Sequence, residues 1–140
     1  MTDATIGKGV AFKRGDAASP EVFTAIAEVI GVGGPNMQRD TVEATHTDSA
    51  NNYREFISGL RDGGEVTLAL NHLPGNATQQ SLRTDYDADT AVNYQVIFPD
   101  TGASQADFAA FVTAIEPDTP IDDRMVSNVT FKITGKPIFS

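Results

Sequence analysis

The sequence predicts a mainly β fold of antiparallel strands, with one short α-helix and a long inter-strand loop. Three observations lead there. Apolar and polar residues alternate with period two in several short runs. One stretch alone joins helix-cap chemistry to a helical spacing. Between Gly31 and Pro74, two strand-like runs flank a long polar segment.

In chain order, Ile6–Lys13 and Val22–Val32 form a first hairpin across the turn-rich Gly15-Asp16-Ala17-Ala18-Ser19-Pro20. The polar segment that follows carries Tyr53, Phe56, Ile57 and Leu60. An exposed loop has no internal use for four large apolar side chains, so this one is expected to meet another protein molecule. In the next strand Val66, Leu68 and Leu70 point one way, and Glu65, Thr67, Ala69 and Asn71 the other. After Gly75, Asn76 and Thr78 are candidate caps for a helix through Gln79–Tyr86, with Leu82 and Tyr86 four apart. Val92, Tyr94, Val96 and Phe98 alternate up to Pro99 and the turn Asp100-Thr101-Gly102. Ala106–Ile115 fits two patterns. Phe108, Phe111, Val112 and Ile115 make a helical stripe, whereas Phe108, Ala110, Val112 and Ala114 make a strand face. Pro117 and Pro120 end the segment in either case. Val129, Phe131 and Ile133 alternate in the last strand. No repeat or linker divides residues 1–140, so a single domain is expected.

Composition narrows the function. A chain of 140 residues buries roughly two thirds of the surface it exposes when unfolded, enough for a real core. With 40% apolar and 21% charged residues, it has the profile of an ordinary folded domain. No run of about 18 apolar residues occurs, so no membrane partner is expected. The start, Met1-Thr2-Asp3-Ala4-Thr5-Ile6-Gly7-Lys8, lacks the basic and apolar parts of a secretory signal, which predicts synthesis in a cytoplasm. Without cysteine there are no disulfides, thiolate nucleophiles or cysteine metal sites. A net charge of -9 opposes conventional nucleic-acid binding, which needs cations to displace counterions from phosphates.

Candidate chemical sites are weak. His46 and His72 are too far apart for a zinc pair one helical turn apart. Asp85, Asp87 and Asp89 alternate as calcium ligands can, but lack the central glycine and distal glutamate of an EF-hand loop and are expected to form a solvated helix end. Glu116, Asp118, Asp122 and Asp123 surround two prolines as a charged turn, without an aromatic platform for a sugar. Gly31, Gly33 and Gly34 match no phosphate loop, and no serine lies in a Gly-x-Ser-x-Gly elbow. Asn76-Ala77-Thr78 and Asn128-Val129-Thr130 match a glycosylation pattern that matters only in secreted eukaryotic chains. The expectation is therefore no catalytic residue, no metal and no cofactor.

The Gly33-Gly34-Pro35 turn, Arg39-Asp40-Thr41-Val42-Glu43-Ala44-Thr45-His46, Tyr53-Arg54-Glu55-Phe56-Ile57, Gly59-Leu60-Arg61-Asp62-Gly63-Gly64-Glu65-Val66 and the closing Val129–Pro137 together resemble the tail tube proteins of long, non-contractile-tailed bacteriophages. The resemblance runs over nearly the whole chain. It implies a small antiparallel β-sandwich or barrel with one helix, related to phage and type VI secretion tube proteins, with Phe108–Glu116 as a strand. It also implies six copies in a ring, rings stacked into a hollow tube, and a segment from about residue 36 to 62 that reaches into a neighbouring ring. On that arm Tyr53, Phe56, Ile57 and Leu60 would bury apolar area, while Arg54, Glu55, Arg61 and Asp62 pair at a polar rim. Glu65, Thr67 and Asn71, with Glu43 and Thr45, are candidates to face an acidic lumen through which DNA passes without specific binding. The partners implied are further copies of the chain and the tape measure, tail terminator, distal tail and tail assembly chaperone proteins. The place implied is the virion, after synthesis in the host bacterial cytoplasm.

A tube subunit of a gene transfer particle or a secretion machine is the related alternative. From another class, a small β-barrel binding a ligand would need an enclosed apolar pocket. An enzyme would need a partner constellation around its carboxylates, which the sequence lacks.

Overall fold

The structure, a computed structural model, describes residues 6–140. In chain order its elements are β1 (Ala11–Gly15), β2 (Phe23–Ala25), β3 (Val29–Gly33), β4 (Gln38–Glu43), β5 (Phe56–Asp62), β6 (Glu65–Asn71), α1 (Ala77–Asp87), β7 (Val92–Ile97), β8 (Gln105–Asp118) and β9 (Val126–Phe139). Seven strands form one antiparallel sheet in the order β2-β1-β7-β8-β9-β6-β3, and β4 and β5 form a separate two-stranded ribbon.

The seven-stranded sheet curls into a barrel, as two distances require. Strands β2 and β3 are its opposite edges, which in a flat sheet would lie roughly 29 Å apart at the usual strand spacing. Only Ile26, Ala27 and Glu28 join them, a link that spans at most about 14 Å. Inside, the rings of Phe12 on β1 and Phe131 on β9 stack with centroids 5.0 Å apart, although their strands are three positions apart in the sheet. Tyr94 meets Phe131 edge-on at 4.7 Å and Phe12 at 5.5 Å. Val66, Leu68 and Leu70 of β6 and Val129, Phe131 and Ile133 of β9 face this core, as their alternation predicts. Each such side chain contributes about 1.5–3 kcal/mol of transfer free energy when fully buried.

The first hairpin is shorter than expected, because Val22–Val32 is two strands. Phe23–Ala25 pairs with β1; Ile26 then turns into the core, with its N–H bonded to the Phe12 carbonyl at 2.9 Å. Glu28 follows with φ 53°, and β3 crosses over to pair with β6. Helix α1 holds this corner from below. The Asn76 side chain caps it, accepting from the N–H groups of Thr78 at 2.9 Å and Gln79 at 3.4 Å. The Thr78 hydroxyl accepts from the Ala27 N–H at 3.1 Å, and the Gln79 amide donates to the Ala27 carbonyl at 3.1 Å.

Ala106–Ile115 is strand, and a bulge explains its double pattern. Phe108, Ala110 and Val112 are buried. Between Val112 and Ala114 the register with β9 slips by one residue, so Ile115 turns inward in place of Ala114. A strand that changes phase at Thr113 thus imitates a helical stripe. Pro117 does not end β8, which runs to Asp118 with Pro117 opposite Ser127. Strand β7 pairs only with Gln105–Ala110, so the far half of β8 has a free edge on that side, where a missing N–H costs no ladder bond.

Candidate assembly surface

The expected inter-strand loop is largely the β4–β5 ribbon, and its composition matches its setting. Every residue of β4 is exposed, and so is all of β5 apart from the half-buried Gly59. Tyr53, Phe56, Ile57 and Leu60 are 75%, 56%, 58% and 85% exposed. Val42, opposite Ile57, adds a further exposed apolar residue that period alone did not single out. Leu60 projects because of a bulge. The register moves from Arg39↔Arg61 to Thr41↔Ser58, leaving Gly59 and Leu60 opposite Asp40. Gly59 lies so close to Asp40 that an added Cβ would stand 3.0 Å from the Asp40 carbonyl oxygen.

The ribbon's base is firmly set. Asp62 accepts from Lys132 Nζ at 2.8 and 3.0 Å and from the Gly64 N–H at 2.9 Å. The Lys132 ammonium, ahead of the Gly64 N–H, holds the Asp62 carboxyl below its ordinary range. Asn36 N–H donates to Glu65 at 3.2 Å, and Ile133 N–H to Gly64 at 3.0 Å. Gly64 adopts φ 80°, and a Cβ there would collide with the Asn36 carbonyl oxygen.

The far end closes on itself. Glu55 accepts from the Ser49 hydroxyl at 2.6 Å and meets His46 Nε2 at 3.1 Å, while His46 Nδ1 accepts from the Asp48 N–H at 3.1 Å. Thr45 Oγ1 accepts from the Glu55 N–H at 2.9 Å. Two rim residues are therefore already engaged within the chain, Glu55 at the tip and Asp62 at the base. Arg54 and Arg61 are exposed.

The lumen candidates are spread over β6 and the β4 end of the ribbon. Glu65 and Thr67 are exposed on the outward side of β6. Asn71 is half-buried at that strand's end, its amide turned to Glu28 at 3.4 Å. Glu43 lies opposite Phe56 at the far end of the ribbon, about 17 Å of strand beyond Gln38, and Thr45 follows it.

Asp85 departs from the solvated helix end expected of it. It is 5% exposed and accepts from Arg14 Nε and a terminal Arg14 nitrogen, each at 2.6 Å, and from the Tyr94 hydroxyl at 2.7 Å. These bonds fasten α1 to β1 and β7. Sequence reasoning missed this network because its members lie far apart in the chain; an Asp facing Leu82 across one helical turn was the available signal. Asp87 and Asp89 are exposed. Asp118, Asp122 and Asp123 sit at the exposed β8–β9 turn with Ile121, whose side chain is fully in solvent. Among the described residues, no three His, Cys, Asp or Glu side chains form a metal-holding group. His72 lines an open hollow of about 430 Å³ between α1 and the ends of β6, β8 and β9.

Solved structures similar to this chain include chains of tails, a tail tube and a sheath-tube complex. A chain from the tail of an empty gene transfer agent particle, refined with helical C6 symmetry, is 21% identical with a TM-score of 0.80, over 98% of this chain and 99% of that one. The SPP1 tail tube is 12% identical with a TM-score of 0.70, over 98% and 79%. A chain of an extracellular contractile injection system sheath-tube complex is 16% identical with a TM-score of 0.67, over 94% and 87%. These likenesses give the fold. No curated protein matches the chain. A family model described as lambda phage tail tube protein, TTP, matches residues 6–140, so the chain belongs to the lambda phage tail tube protein family.

Proposed function

We propose that the chain is the subunit of a long, non-contractile phage tail tube: six copies close a ring, rings stack, and the lumen conducts the genome into the host. The carrying observation is the β4–β5 ribbon. A two-stranded hairpin is at best marginally stable alone in water, and this one exposes both faces with Val42, Tyr53, Phe56, Ile57 and Leu60 uncovered. Docking on a neighbouring ring would cover them. In this reading residues 1–140 are one tail tube domain, and residues 36–62 form its assembly arm, with Arg54 and Arg61 free to pair across the interface.

The role is structural, without catalysis or cofactor. Glu65 and Thr67 are the lumen candidates best placed on the main sheet; Glu43, Thr45 and Asn71 complete the set. With a net charge of -9, the wall offers few cations for phosphate contacts, which lets DNA pass without adhering. Synthesis in the host cytoplasm, and docking to tape measure, terminator, distal tail and assembly chaperone proteins, belong to the same reading. Electron microscopy and sedimentation of the purified chain test it: rings or tubes are expected, and monomers alone at high concentration with tail-initiating partners present would overturn it.

A second reading is a tube subunit of a gene transfer particle. It is favoured by the near-complete mutual coverage with the gene transfer agent tail chain. Genes for capsid and tail beside this one, and whether the particles package their own genome, separate the two.

A further inference from the structure

The base of the ribbon forms a groove of about 930 Å³ between β4, β5 and the last residues of β9. Met37, Leu60 and Phe139 give it apolar area, and Arg39, Arg61 and Lys136 give it positive charge. Arg39 and Arg61 are direct cross-strand partners, an arrangement of like charges that destabilises a ribbon unless an anion lies between them. Among the described residues no carboxylate lies within ion-pair distance of Arg39, Arg61 or Lys136. Asp40 also lines the groove, and the charge of Asp62 is taken up by Lys132. A locally cationic, apolar-floored groove on a chain of net charge -9 calls for an acidic occupant with an apolar centre.

The chain carries such a segment at the other end of the β8–β9 hairpin. The turn between Asp118 and Val126 presents Ile121 entirely to solvent, with Glu116, Asp118, Asp122 and Asp123 around it and Arg124 as the one cation. Groove and turn lie at opposite ends of two fourteen-residue strands, so one molecule cannot join them to each other. A contact between unlike ends repeats from copy to copy, as a stack requires.

We propose that the acidic β8–β9 turn of one copy, with Ile121 at its centre, seats in the cationic groove at the base of the β4–β5 ribbon of a second copy. The proposal rests on the tube reading and names a contact that joins successive copies. Asp122 and Asp123 approach Arg39 and Arg61, and Ile121 enters between Met37, Leu60 and Phe139.

The test uses the full chain, which has no cysteine of its own. Ile121→Cys combined with Leu60→Cys is expected to give disulfide-linked ladders under mild oxidation, with neither single variant giving more than dimers. Asp122→Arg with Asp123→Arg is expected to lower the sedimenting fraction by about tenfold or more, since it sets like charges against each other across the interface. Adding Arg39→Asp and Arg61→Asp to that variant is expected to restore it. Wild-type tubes together with no ladder and no loss from the charge reversals would overturn this contact while leaving the tube reading intact. A wild-type chain that stays monomeric with tail-initiating partners present, together with no ladder from the double-cysteine variant, would overturn both.

Discussion

Asp85 accepts two hydrogen bonds of 2.6 Å from Arg14, one from Nε and one from a terminal nitrogen, across 71 residues of sequence. With the Tyr94 hydroxyl at 2.7 Å, this pair is the polar rivet between helix and barrel. Replacing Asp85 by Asn leaves a partly buried guanidinium without its anion. Breaking a buried pair from one side costs roughly 3–5 kcal/mol; the lower end is expected, because the Arg14 side chain keeps 27% exposure. Urea unfolding of Asp85→Asn checks this, with circular dichroism following the helix.

The same network sets the alkaline limit. Burial first, and then the bond to Asp85, raise the Tyr94 hydroxyl far above its ordinary value of 10.0. A raised value means that folding favours the protonated form. The resulting stability is complete below about pH 10 and declines as pH climbs above it. Thermal melts from pH 8 to 12 are expected to fall at the alkaline end in the wild type, and less steeply in Tyr94→Phe.

At the acid end the sign reverses. Asp62 is held low by Lys132, Asp16 by the backbone N–H of Ala18, and Asp100 by Ser104. Depressed carboxyls contribute stability above the ordinary carboxylate range and lose it as pH falls through their folded values. Below about pH 4 the ribbon base therefore loosens. The protection of the Gly64 amide from hydrogen exchange, referred to the intrinsic rate at each pH, is expected to fall between pH 6 and pH 3 by more than that of core residues such as Val66.

Phe56→Glu with Leu60→Glu separates folding from assembly. Both side chains project into solvent, and exposed substitutions of this kind usually change stability by no more than about 0.5 kcal/mol. The variant is expected to melt like the wild type and to form no tubes. Normal tubes would remove the ribbon from the inter-ring contact.

Gly64→Ala tests the ribbon's setting. The new methyl group would occupy the space of the Asn36 carbonyl oxygen in a left-handed backbone conformation, so destabilisation above about 1 kcal/mol is expected. A variant that melts with the wild type would show that the ribbon base shifts freely.

The strands that alternate cleanly were legible from sequence because their pattern and their burial coincide: β6 and the first half of β9 keep one phase throughout. Where the phase changes, pattern fails. The bulge at Thr113 gave Ala106–Ile115 two equal readings, and Glu28, in a left-handed conformation without being glycine, divided a run that looked continuous. The ribbon's exposed aromatics could be seen in the sequence, yet their pairing could not. A ribbon exposed on both faces has no core side to impose alternation. Asp85 was misplaced for a different reason, since its partner Arg14 stands on another strand and nothing local announces it.

The two long strands of the β8–β9 hairpin give the subunit a fixed gauge. Fourteen antiparallel residues extend about 45 Å when straight, and the turn and the groove mark the two ends of that length. In a stack joined through those ends, the advance per ring is bounded by the hairpin. Tail length then becomes a count of rings multiplied by a distance that every copy already carries.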